Sequence, residues 1–79
     1  MKANRAYELR VRRGGAAPAL LAPDRVDCIE VVEIDSGEVV LFWDVAARGT
    51  GRLARALRTD LAQMEAGEFL RRWRRYETP

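Results

Sequence analysis

The sequence predicts one small α+β domain, a three-stranded antiparallel sheet followed by two C-terminal amphipathic helices in the order β-β-β-α-α. Three observations carry this. Apolar and polar residues alternate, or cluster as β-formers, before residue 45. The turn signal Asp35-Ser36-Gly37-Glu38 divides the most β-rich stretch. Beyond residue 50 the leucines recur at helical spacing. The 79 residues suffice for a single domain, 1–79, and are too few for two.

The first strand runs from Ala6 to Arg12, with Tyr7, Leu9 and Val11 on one side and Glu8, Arg10 and Arg12 on the other. Gly14-Gly15 ends it. Residues 14–25 form a loop in which Pro18 and Pro23 oppose regular structure, and Leu20 and Leu21 are expected to pack back onto the body. Val26 to Ile34 and Val39 to Val45 form a hairpin. A two-residue turn at Ser36-Gly37 would place Ile34 opposite Val39, Val32 opposite Leu41 and Glu30 opposite Trp43. A three-residue turn would shift the ladder by one residue, and the pattern allows both.

Ala46 to Gly51 breaks the strand, and Thr50 is placed to cap a helix that runs to about residue 65 with Leu53, Leu57, Leu61 and Met64 on its apolar side. A second helix carries Phe69, Leu70, Trp73 and Tyr76 on its apolar side and Arg71, Arg72 and Arg75 on its polar side. Its stripe is rotated by roughly 100° from the first, which puts a break near Ala66-Gly67.

Composition narrows the class. Hydrophobic residues at 48% and charged residues at 33% suit a globular chain and are too apolar for a disordered one. The single cysteine, Cys28, excludes an intramolecular disulfide, whereas secreted domains of this size are usually stapled by several. Residues 1–5 lead into no apolar signal core, and no apolar run approaches the roughly 20 residues of a membrane span. A cytoplasmic protein with no membrane partner is therefore expected.

Charge is segregated along the chain. Residues 14–45 are strongly acidic, and both ends are basic. Parts of opposite sign can pair within one fold, or they can give a bipolar surface that selects partners.

Catalytic chemistry finds little support. Histidine is absent, which removes the commonest general base and metal ligand. Cys28 sits in an apolar strand and reads as a structural thiol. Glu30 and Glu33 fall on opposite strand faces and cannot form an acid/base pair. No enzyme activity, cofactor or metal is expected. Arg48-Gly49-Thr50-Gly51-Arg52 precedes a helix and could hold an anion, although it lacks the third glycine of a dinucleotide fingerprint and the lysine of a phosphate loop.

Two functions remain. The first is a non-enzymatic protein-protein interaction module, a homodimer in its simplest form. Apolar residues occur on both faces of the hairpin, and Ile29, Val31, Val40 and Phe42 are expected to form the interface. The alternative is a weak nucleic-acid binder that uses Arg52, Arg55, Arg71, Arg72, Arg74 and Arg75. Trp73 lies among these arginines but shares a face with Phe69, which makes it a core residue rather than a stacking platform.

Overall fold

A computed structural model describes residues 1–14 and 25–76. A four-residue helix α1 (Ala3–Ala6) leads into strands β1 (Tyr7–Arg12), β2 (Val26–Glu33) and β3 (Val39–Ala46). A 3-10 turn (Ala47–Gly49) then feeds helices α2 (Thr50–Gln63) and α3 (Ala66–Arg74). The strands pair antiparallel in the order β1-β2-β3. This is the β-β-β-α-α order expected from the sequence, with α1 added before it. The Leu20-Leu21 packing expectation lies outside the described residues.

Tyr7, Ile29, Val31, Leu41 and Trp43 line one face of the sheet and meet Ala54, Leu57 and Leu61 of α2 and Phe69 and Trp73 of α3. Both helices therefore cover the same face. The stripe spacing explains why α2 and α3 are separate helices: Met64 is extended, and α3 begins at Ala66. The break thus falls two residues before the Ala66-Gly67 position read from the sequence, and Gly67 lies in the first turn of α3.

The chain's first residues hold that joint. The Ala3 amide donates to the Met64 carbonyl at 2.9 Å, and the Ala66 amide donates to Met1 O at 3.0 Å. The terminal ammonium meets Glu65 at 2.8 Å and holds that carboxyl below its ordinary pKa. Ala3 is fully buried, so a residue with a larger side chain would separate α1 from its neighbours.

Most of the hairpin ladder follows the one-residue-shifted register rather than that of the two-residue turn. Val31 pairs with Leu41, Ile29 with Trp43 and Cys28 with Asp44, one residue away from that register. Near the turn the register shifts again through a bulge, and Val32 pairs with Val39. The Glu33 amide donates to the Glu38 carbonyl, and the Gly37 amide donates back to Glu33 O. The loop thus spans Ile34 to Gly37, with Gly37 at a φ of 76° that favours glycine.

This shift decides which side chains are core. A one-residue slip exchanges the two faces of a strand. Ile29 and Val31, expected at an interface, are fully buried under the helices. Val40 is half-buried and packs against the same core. Phe42 points to the opposite face, which no helix of the described residues covers. The four residues therefore do not form one exposed patch.

Replacing residues on the two faces should separate them in a urea titration followed by circular dichroism. Val31→Glu is expected to unfold the chain, because it buries an unpaired carboxylate. Phe42→Glu should leave a folded sheet at a cost of about 1–2 kcal/mol. Equal losses for the two would contradict the register.

Candidate functional site

Two concentrations of charge stand out, and they differ in kind. The first is closed. Asp27 lies at the helix-facing end of β2 and is fully buried. Its carboxylate accepts the Gly14 amide at 3.0 Å and the Thr50 hydroxyl at 2.7 Å. The Arg25 guanidinium approaches to 3.2 Å, with Arg13 at 3.9 Å. The Gly14 amide, the Thr50 hydroxyl and these cations outweigh the desolvation of the carboxylate and hold its pKa below the ordinary value.

A side chain at Gly14 would place its Cβ 1.8 Å from the Val26 carbonyl oxygen, so only glycine brings this amide to Asp27. Thr50 was expected to cap α2. Instead α2 begins at Thr50, no side chain caps its preceding residue Gly49, and the Thr50 hydroxyl turns inward to Asp27. The segment Arg48 to Arg52 thus has a carboxylate of the chain itself at the start of the helix. A negative charge near the positive end of a helix is favourable.

Asp27 is a structural tie between β2, the end of β1 and the start of α2. Its depressed pKa fixes the sign of the acid response. The contribution is complete above the unfolded carboxylate value of about 3.9 and is lost as pH falls through the lower folded value. Asp27→Asn should lower the melting temperature at neutral pH by more than Glu38→Gln does, and should flatten the dependence on pH at the acid end. A melting temperature unchanged at neutral pH would contradict the tie.

The second concentration is open. All six arginines named from the sequence are exposed. Arg52 and Arg55 of α2 and Arg72 of α3 line an open groove of about 390 Å³ between the helices, together with Ala56, Thr59, Asp60 and Trp73. Arg71, Arg74 and Arg75 lie along the other flank of α3, around Gly67 and Leu70. The structure therefore gathers three of the six in the groove and sets the other three beside it.

The periodicity of α3 causes this. Phe69 and Trp73 are four residues apart and fall on one side, where both are buried. The Trp73 ring meets Trp43 edge-on at 6.0 Å and Phe69 at 6.4 Å. With the aromatic stripe in the core, the intervening arginines must face solvent. Basic groups in the last turn also suit the negative end of the helix.

Asp60 was not singled out in the sequence. It accepts the Trp73 indole N–H at 2.9 Å, and Arg72 Nε lies 3.5 Å from the same oxygen. No sequence spacing announces this contact, because it joins two helices across a break. Thr59 spends its hydroxyl on the Arg55 carbonyl within α2.

The sheet face turned away from α2 and α3 has mixed character. Arg12 meets Glu30 at 2.7 Å, and Arg10 lies 3.5 Å from Glu8. Cys28 is half-buried there, and its thiol pKa is raised first by burial and then by the Glu30 carboxylate, which disfavours a nucleophilic thiolate. Among the described residues no helix is long and apolar enough to cross a membrane, and no group of three or more acidic, cysteine or histidine side chains is arranged to hold a metal.

No protein-family model, curated protein or solved structure matches this chain.

Proposed function

We propose that this chain is a non-enzymatic binding module that holds nucleic acid by its phosphate backbone, through the arginine-bearing surface of α2 and α3. The observation that carries the reading is the groove where Arg52, Arg55 and Arg72 converge, with Arg71, Arg74 and Arg75 alongside. Guanidinium groups match phosphate oxygens in geometry and stay charged at all relevant pH. From Thr50 to Tyr76 seven arginines face three acidic residues, so the field on this side is positive. Of those acids, Asp60 is already engaged by Trp73.

The aromatic side chains bear on the mode of binding. Trp43, Phe69 and Trp73 are buried, and both indole N–H groups are used inside the chain, Trp43 on the Tyr76 carbonyl and Trp73 on Asp60. Tyr76 is the ring at the surface beside the arginines, 63% exposed and packed edge-on against Trp73 at 5.8 Å, and one such ring offers unpaired bases little to stack on. Contacts to phosphate, insensitive to sequence, fit this surface better.

A second reading, a protein partner on the sheet face turned away from α2 and α3, is favoured by Phe42 and by Val26, which is 52% exposed. The homodimer expected from the sequence rested on Ile29 and Val31 sharing that face, and both belong to the core.

Fluorescence anisotropy with a labelled DNA duplex of random sequence separates the two. Raising salt from about 50 to about 200 mM should weaken binding about 40-fold for three neutralised phosphates and about a thousandfold for six. Arg52→Glu, Arg55→Glu and Arg72→Glu together should abolish it with the fold intact. Binding absent at low salt, or unchanged by the triple replacement, would remove this reading and leave the sheet-face partner.

A further inference from the structure

We propose that Asp60 is an internal counter-anion that holds Arg72 in the free protein and thereby limits the affinity of the groove for phosphate. The role depends on the groove being a phosphate site, as proposed above.

Asp60 serves two donors of unequal standing. The Trp73 indole N–H donates to its Oδ2 at 2.9 Å in a largely buried setting, while Arg72 Nε stands 3.5 Å from the same oxygen. The Arg72 side chain is 60% exposed and that of Asp60 18%. A long ion pair whose guanidinium stands in solvent is weak and readily screened. A phosphate entering the groove can take Arg72, while Asp60 stays fixed by Trp73.

Two consequences follow from the carboxylate staying in place. Arg72 must leave its counter-ion before it can serve the ligand. The released Asp60 charge then remains in the wall of the groove near the incoming phosphate. Asp60 is the carboxylate that lines the groove, and of the three arginines there Arg72 is the one placed within ion-pair distance of it, so Arg72 is the cation whose availability Asp60 controls.

Asp60→Asn isolates the charge. The amide oxygen can still accept the Trp73 N–H, so the aromatic joint keeps its hydrogen bond. Duplex binding should tighten about three- to tenfold at low salt, and the gain should shrink as salt rises. In an Arg72→Ala background the gain should fall to less than about half, because the residue that Asp60 holds is gone.

The measurement is duplex anisotropy for wild type, both single variants and the double variant, with near-ultraviolet circular dichroism to confirm the tryptophan packing. Equal or weaker binding by a folded Asp60→Asn protein would overturn the proposal, as would a full gain persisting without Arg72. Absence of binding by all four proteins would instead defeat the phosphate reading itself, and this role with it. If Asp60→Asn does not fold, the Arg72 Nε–H resonance of the wild-type protein decides: a shift on adding duplex supports release from Asp60, and an unmoved resonance in a bound protein overturns it.

Discussion

Trp73 is the contact through which the sheet and the two long helices of this small fold meet. Its ring packs edge-on against Trp43 of β3, its N–H binds Asp60 of α2, and its own helix also contributes Phe69 to the core. Helix α3 has nine residues, too few to be stable alone in water. It exists because two aromatic side chains bury against the sheet, each contributing about 1.5–3 kcal/mol by burial, with aromatic pairing adding about 0.5–1.5 kcal/mol. Tyr7 extends the cluster by stacking on Phe69 at 6.0 Å. The same constraint fixes the arginine-bearing surface. Once Phe69 and Trp73 face inward, Arg71, Arg72, Arg74 and Arg75 can only face out.

Charge is handled in opposite ways at the two ends of the helical layer. At the start of α2 a buried carboxylate gathers an amide, a hydroxyl and guanidinium groups and closes on itself. Between α2 and α3 the guanidinium groups outnumber the one carboxylate and remain in solvent. The first arrangement ties three elements together, and the second leaves Arg52 and Arg55 exposed to solvent beside the Arg72–Asp60 pair. The positive net charge of +2 for the whole chain conceals this difference, since the acidic residues are concentrated in the hairpin.

The element order and the helical stripes were legible because periodicity reports burial directly. Leu57, Leu61, Phe69 and Trp73 are core, as their spacing implied. The hairpin register was not legible, because Ile29, Val31, Val32, Val40 and Phe42 make both strand faces apolar and no pattern prefers one. The turn at Gly37 was visible as a glycine, but the bulge beside Val32, which resets the pairing next to it, does not follow from residue type. The six arginines were visible as a list, but not the split into a groove and a flank, which depends on where the α2–α3 break falls. Asp60 and Asp27 were hidden for a common reason. Each earns its role from a partner distant in sequence, Trp73 for one and Gly14 and Thr50 for the other.

Hydrogen exchange of the Trp73 indole N–H tests the central constraint most directly. If Trp73 joins the sheet, α2 and α3, its indole proton should exchange only through global unfolding, as slowly as the β2 amides of Ile29 and Val31. Rapid exchange of that proton while those amides stay protected would contradict the account, because α3 would then be detached from the core that orients its arginines.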